Sequence, residues 1–562
     1  MLTQSYAHGA STKPLLGETL GVNFDLAAER WGERDALIVR HQNVRWTYNE
    51  LRNEVDAFAA GLLALGLEPG DRIGIWSPNN SEWVVTQYAT AKAGLILVNI
   101  NPAYRVAELE YALNKVTCKA LILATRFKSS DYIGMLKQLA PEISLCEPGN
   151  IKSKRLPNLQ TIIKIGGPIE RGFIEFQEVA GKASEKNKDK IRDLVNILQF
   201  DDPINIQFTS GTTGFPKGAT LTHFNVLNNG YFTGESLKFT SDDRLCVPVP
   251  LYHCFGMVLS NIAALTHGAA LIYPDEAFDP LSVLEAVEEE KCTALHGVPT
   301  MFIAELEHPR FKEFDLSSLR TGIMAGSPCP IEIMRRVVDE MFCSEMIIAY
   351  GMTETSPVIT SSETDDTIEK QVSTVGRIFP HVEVKIIDSN GRIVAPGETG
   401  ELLARGYNVM QGYWDDIEKT EESIDEAGWM HTGDLATMDP EGFCNIVGRV
   451  KDMVIRGGEN IYPREIEEYL YRHPSITDVQ VFGVPDVKFV EELCAWIILK
   501  PGTSCSEEEV REFCHGQIAH YKIPRHIRFV EEYPMTVTGK VQKFAMRDKM
   551  IEELDLNQAK TA

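Results

Sequence analysis

Apolar positions follow two rhythms along the first 350 residues. Segments 72–76 (RIGIW), 95–100 (LILVNI) and 120–124 (ALILA) are apolar at nearly every position. Segments 82–93 and 106–115 repeat apolar residues at helical spacing. The first pattern predicts strands buried on both faces and the second predicts helices, so together they spell βαβ units around mostly parallel sheets. The alternation resumes with strands expected at 204–208, 245–249, 269–273, 294–298, 322–325 and 346–350. Between the two sets, residues 147–193 are rich in Lys, Gly, Asn and Glu and predict a surface excursion with weak structure. The most apolar stretch, 255–273, is broken by Asn261, His267 and Gly268, which predicts a core helix followed by a buried strand rather than a membrane span.

Beyond Tyr350 the texture changes. Short strands are expected at 382–387, 401–404 and 443–447, separated by turn residues such as Ser389-Asn390-Gly391 and Pro396-Gly397. They suggest a smaller, antiparallel sheet. After Arg449 a helix (464–472), two strands (479–483 and 494–499) and a further helix (507–515) predict a compact α+β unit. The expected organisation is an α/β protein. A large N-terminal domain covers 1–449, with an antiparallel subdomain over about 380–449, and a small mobile C-terminal domain covers 450–562. The polar junction Gly448-Arg449-Val450-Lys451-Asp452 is the candidate hinge, centred on Lys451.

Composition narrows the function classes. The 562 residues are 44% apolar and 24% charged, the balance of a globular protein with chain enough for large cores. Asp plus Glu number 80 against 55 Lys plus Arg, a net charge of −25, which opposes a dedicated nucleic-acid binder. The 11 cysteines form no CxxC pair, so a reduced, cytoplasmic protein is expected. The first residues lack a basic start followed by an apolar run, and the closing AKTA is no peroxisomal address.

The strongest local signal is Thr209-Ser210-Gly211-Thr212-Thr213-Gly214-Phe215-Pro216-Lys217-Gly218, directly after the apolar run 204–208. Glycines turn the backbone tightly and expose N–H groups, hydroxyls add donors, and Lys217 adds charge, a combination suited to an anion with several oxygens. The spacing is not that of a Walker A loop. On composition alone, a surface turn rich in Ser, Thr and Gly is an equally open reading.

This loop resembles the phosphate loop of the adenylate-forming (AMP-binding) superfamily, which includes acyl-CoA synthetases, luciferases and the adenylation domains of peptide synthetases. Further motifs follow in that family's order. Tyr350-Gly351-Met352-Thr353-Glu354-Thr355 resembles YGxTE, and Gly400-Glu401-Leu402 with Arg405-Gly406 resembles GEL…RG. Gly428-Trp429-Met430-His431-Thr432-Gly433-Asp434 is similar to GWxxTGD. Gly448–Asp452 and Gly457-Gly458-Glu459-Asn460 match the hinge and the start of the small domain, and Pro534 to Lys540 matches P-x-T-x-x-G-K. The chain is closest to the medium-chain and fatty-acyl-CoA synthetase branch.

The resemblance implies a two-step ligase: a fatty acid, of medium length by this likeness, attacks ATP to give an acyl-adenylate and pyrophosphate, and coenzyme A then displaces AMP. It implies catalytic roles for Lys540, beside the α-phosphate and acyl carboxylate, for His253, by the carboxylate, and for Glu354, as the Mg²⁺ ligand. It places Thr209, Ser210, Gly211, Thr212, Thr213, Gly214 and Lys217 on the phosphates. Gly326, Ser327 and Gly351 would lie beside the adenine, with Tyr350 and Thr353 also on the nucleotide; Asp434 would take the ribose, and Arg449 the ribose or phosphate region. Lys451 marks the hinge, and Arg456, Gly457 and Gly458 border the coenzyme A path. Met352, Phe255, Met257, Met301 and Phe302 are candidates for an acyl tunnel, although apolar residues at such positions are more often plain core.

The co-substrates implied are ATP with Mg²⁺, coenzyme A and a small carboxylic acid, with no nucleic acid and no transmembrane segment; passing membrane contact and oligomeric state are left open. Alternatives are an aryl or branched acid, acyl transfer to a carrier-protein thiol, and a catalytically silent nucleotide-binding regulator. The presence of Lys540, Glu354 and the 209–217 loop together argues against silence.

Overall fold

The computed structural model describes residues 1–209, 216–327, 329–456, 459–486, 488–535 and 541–556. The chain forms two compact units: Ala7–Val384 with Ala404–Met430, and Met1–Tyr6 with Lys385–Leu403 and His431–Ala562.

Two large sheets and a two-stranded one, Arg126–Phe127 with Ser130–Asp131, are described in the larger unit. The eight-stranded sheet runs in the order Ile174–Glu175, Thr161–Ile165, Ala120–Ala124, Arg72–Trp76, Ile96–Asn99, Pro203–Thr209, Lys217–Thr222, Gly412–Tyr413. Its strands are parallel up to Pro203–Thr209, and the last two pair antiparallel. The nine-stranded sheet runs Arg377–Ile378, Val358–Ser361, Glu345–Gly351, Thr321–Ala325, Ala294–Gly297, Arg244–Cys246, Ala270–Tyr273, Asp35–Val39, Val44–Thr47. It is parallel through its middle and antiparallel at both edges. Helices cover these parallel strands, which explains why Ala120–Ala124 and Thr321–Ala325 are buried at every position instead of alternating. The α/β expectation is borne out.

Helix Ser81–Ala93 begins where Asn80 Oδ1 accepts from the Trp83 N–H at 2.8 Å and ends at Gly94, whose φ of +69° suits glycine. All its residues but Glu82 are buried, so it is a central helix rather than a surface one. Its Lys92 remains inside because its ammonium bonds Asp25 at 2.6 Å and also Asp56. The apolar stretch 255–273 forms a π-helical segment, Phe255–Ile262, that continues as α-helix Ala263–His267, then strand Ala270–Tyr273, as expected.

The expectation of weak structure over 147–193 is overturned. Strand Thr161–Ile165 is wholly buried beside Ala120–Ala124, and helix Glu185–Leu194 follows it. The strand was masked by Lys164, a charge in the middle of TIIKI. Lys164 is fully buried; its ammonium pairs with Glu175 at 2.9 Å and donates to the Gly166 carbonyl. The helix is charged along most of its length and packs only through Ile191 and Leu194. Lys164→Ala strands the Glu175 carboxylate, and about 3–5 kcal/mol of stability is expected to be lost. Lys164→Met with Glu175→Leu should recover most of that loss in thermal melts.

The smaller unit carries the antiparallel pair Met430–Met438 and Cys444–Arg449, part of a five-stranded sheet. A second five-stranded sheet orders Glu459–Ile461, Val454–Arg456, Val490–Leu499 and Ile476–Asp486, with His526–Phe529 joined parallel to Val490–Leu499. Ile466, Leu470, Val479, Val481, Ile497 and Val510 form its core. Helix Lys543–Glu553 closes a second cluster by packing Met546 and Met550 with Phe482, Trp496 and Tyr533.

Candidate active site

The hairpin of Pro203–Thr209 and Lys217–Thr222 pairs Thr209 directly with Lys217, so the two residues that flank the 210–216 motif stand side by side in the sheet. Ser210, Gly211, Thr212, Thr213 and Gly214 lie outside the described residues. Strand Gly412–Tyr413 adds to the hairpin by pairing Tyr413 with Ala219 and Gly412 with Thr220. The Trp414 N–H donates to the Gly218 carbonyl at 2.7 Å and the Tyr413 N–H to Thr420 Oγ1 at 2.9 Å, which fixes where the Tyr413 ring stands.

Four side chains meet there. Lys217 Nζ donates to the Tyr413 hydroxyl at 2.9 Å and lies 4.0 Å from the ring centroid. The Tyr413 hydroxyl donates to Glu354 Oε1 at 2.8 Å, and Thr209 Oγ1 donates to the same oxygen at 3.0 Å. Glu354 sits in the turn Thr353–Thr355 after strand Glu345–Gly351, its backbone carbonyl accepting from the Met410 N–H at 2.9 Å. It is 5% exposed. Burial pulls the Lys217 pKa down while the Glu354 charge pulls it back up, and burial holds the Tyr413 phenol neutral.

Among the described residues no group of three or more His, Cys, Asp or Glu side chains could cage a metal. The side-chain bonds from Thr209 and Tyr413 both fall on Oε1 of Glu354. A single buried carboxylate beside a phosphate-type loop fits Mg²⁺, which keeps waters and takes one or two protein carboxylates together with substrate phosphates.

His253 is half-buried just before the π-helical segment, its Nδ1 accepting from the Phe255 N–H at 3.2 Å. π-helical turns recur at functional sites. The neighbouring Cys254 thiol bonds Gln207 Oε1 at 3.2 Å. Burial and the Glu354 charge push its pKa up to about 12, against the opposing effect of its hydrogen bonds with Gln207 and Thr353, so it is no thiolate nucleophile. Gly326 follows strand Thr321–Ala325 at φ +92°, with Ser327 exposed beside it. Tyr350 is half-buried on strand Glu345–Gly351. At Gly351 an added Cβ would fall 1.7 Å from the Pro357 carbonyl oxygen, so the fold itself demands glycine there.

In the other unit Asp434 and Arg449 are cross-strand partners, with Arg449 Nε 3.1 Å from Asp434 Oδ1. The strand's start is held by Thr432, which donates to the Leu402 carbonyl at 2.6 Å, and by Glu401, which accepts from the Gly433 N–H at 3.2 Å. Lys451 is exposed in the turn Val450–Asp452. Arg456 makes two bonds to the buried Glu492, at 2.9 and 2.7 Å, and lies 4.3 Å from the Phe489 ring centroid. It borders a cleft of about 700 Å³ that Arg511, His515 and Arg525 also line. Gly457, Gly458 and Lys540 lie outside the described residues.

Tyr413 is the site residue that the sequence reading missed. Its Gly412-Tyr413-Trp414 segment carries no charge, and its partners lie far off in sequence. Arg405 of the RG motif is structural: it grips Glu383 with two bonds of 2.9 Å and stacks on Trp429. No helix among the described residues is long and apolar enough to cross a membrane.

The AMP-binding enzyme family matches residues 24–414, and the AMP-binding enzyme C-terminal domain matches residues 465–540. A relative in Danio rerio, "Medium-chain acyl-CoA ligase ACSF2, mitochondrial", is 48% identical, covering 99% of this chain and 92% of its own. "Putative acyl-CoA synthetase YngI" of Bacillus subtilis (strain 168) is also 48% identical, covering 97% of this chain and 99% of its own. Among solved structures, ATP-bound MatB from Rhodopseudomonas palustris superposes with a TM-score of 0.81 at 28% identity, over 94% of this chain and 99% of that one. The chain belongs to the AMP-binding enzyme family, the adenylate-forming enzymes, in its acyl-CoA synthetase branch.

Proposed function

We propose that this chain joins a medium-chain fatty acid to coenzyme A through an acyl-adenylate. The observation that carries the reading is the buried Glu354 carboxylate, bonded to Thr209 where the loop begins and, through Tyr413, to Lys217 where it ends. A carboxylate so placed supports a metal–triphosphate site, and the likeness to acyl-CoA ligases supplies the acid and the thiol.

In the first step a carboxylate oxygen forms a bond to the α-phosphorus as the bond to pyrophosphate breaks. Both partners are anions, so preorganised cations and donors must spread the charge of the transition state. In this reading Lys217 and the loop hold the β- and γ-phosphates, and Lys540 offsets charge between the α-phosphate and the acid. Mg²⁺ bound at Glu354 would polarise phosphate oxygens. Asp434, an acceptor-only carboxylate, takes the ribose hydroxyls, with Arg449 beside it. Gly326, Ser327, Tyr350, Gly351 and Thr353 border the adenine, and His253 stands by the acid.

In the second step the coenzyme A sulfur attacks the acyl carbon and AMP leaves. One site serving both steps calls for motion, and the reading puts it at Lys451, where the large domain 1–449 meets the small domain 450–562. Arg456, Gly457 and Gly458 then flank the coenzyme A path. The setting is cytosolic, which the 11 free cysteines support.

The test is AMP release across straight-chain acids of short, medium and long length, with coenzyme A present and absent. A maximum of kcat/KM at medium length, with turnover dependent on coenzyme A, is expected. A maximum with aryl or short acids would overturn the substrate assignment, and full turnover without coenzyme A would overturn the acceptor.

A further inference from the structure

Lys217 and Glu354 carry opposite charges, both are tucked against the same aromatic ring or its hydroxyl, and yet they do not touch. Among the described residues no ion pair joins them; Tyr413 stands between, accepting from Lys217 Nζ at 2.9 Å and donating to Glu354 Oε1 at 2.8 Å. We infer that Tyr413 is a positioning residue, a neutral spacer that keeps this lysine and this carboxylate from closing on each other, so that the ammonium stays available to phosphate oxygens and the carboxylate to Mg²⁺. The inference rests on the nucleotide reading of the site and adds a residue to it.

The geometry supports a spacer over a general packing residue. Among the described residues the phenol bonds both members of the pair, using its donor on the carboxylate and its acceptor on the ammonium. Its position does not depend on the pair. The strand pairing with Ala219, the Thr420 hydroxyl and the Trp414 backbone bond set the backbone of residues 413 and 414. Thr209 is the second donor to Oε1 and comes from the other flank of the same loop. With the phenol gone, lysine and carboxylate can meet directly in a poorly solvated place, where opposite charges attract strongly. A metal or a phosphate would then have to break that pair before binding.

The measurement is titration calorimetry of the full chain with an ATP analogue carrying a methylene between the α- and β-phosphorus, without acid or coenzyme A, at zero and saturating Mg²⁺. For the wild type, Mg²⁺ should tighten binding. Tyr413→Phe should lose most of that tightening, binding the Mg²⁺–analogue about tenfold more weakly, the size expected for one hydrogen bond to a charged group. In Glu354→Gln, where no charge remains to collapse, adding Tyr413→Phe should change the Mg²⁺ effect no further. Tyr413→Gln, which keeps a donor and an acceptor, should restore much of the tightening, and it also serves if the phenylalanine variant melts early. Tyr413→Phe that keeps the full Mg²⁺ effect overturns this inference alone, as does a loss that is equal with and without Mg²⁺ or equally large in Glu354→Gln. A wild-type chain that binds no analogue removes the nucleotide reading and this inference with it.

Discussion

Lys540→Ala is expected to stop adenylation, lowering the rate of pyrophosphate release by about three powers of ten or more, while thioester formation from supplied acyl-adenylate continues. The reason is charge. A carboxylate and a triphosphate repel each other, and the repulsion peaks as the new bond to phosphorus forms. A lysine beside both partners acts on the transition state more than on either ground state, so its loss should fall on kcat rather than on the KM for ATP. The second half-reaction has no such need, because its nucleophile is a thiol and its electrophile an already activated acyl group. Rapid-quench measurement of each half-reaction separates the two. A variant that forms acyl-adenylate at the normal rate would show that the cation comes from elsewhere, and equal damage to both halves would argue for a structural role.

Glu354→Gln is expected to lower the rate of adenylation about 10²–10³-fold with little change in thermal stability. The amide has the shape of the carboxylate and its oxygen can still accept from Tyr413 and Thr209, which donate to Oε1. What it lacks is the negative charge that a hard cation requires. The loss should therefore shrink as Mg²⁺ is raised. Measuring kcat over a range of Mg²⁺ concentrations at fixed ATP checks this, and a defect independent of Mg²⁺ would place the metal on another group.

Much of the fold is legible in the sequence where one residue pattern had one physical meaning. Helix Val106–Lys115 and strands Arg72–Trp76 and Ala120–Ala124 match their expected limits, since each is a clean apolar period between polar ends. Strand Thr161–Ile165 was lost because a buried lysine looks like a solvated one until its partner, Glu175, is placed beside it. The pairing that assembles the site was also hidden. Tyr413 reaches Lys217 only because Gly412–Tyr413 adds to the edge of the hairpin, a long-range register that no local period encodes. Motifs identify chemistry better than they divide labour within it. Glu354 and Lys217 of the motifs do converge, whereas Arg405 of the RG motif holds Glu383.

The central claim is that a nucleotide site built on Thr209, Lys217 and Glu354 activates an organic acid as its adenylate. Exchange of radiolabel from pyrophosphate into ATP, measured with the wild-type chain, Mg²⁺ and a medium-chain fatty acid but no coenzyme A, tests it most directly. Acid-dependent exchange that disappears when the acid is left out is the predicted result. No exchange with any carboxylic acid offered, from a folded chain, would contradict the account.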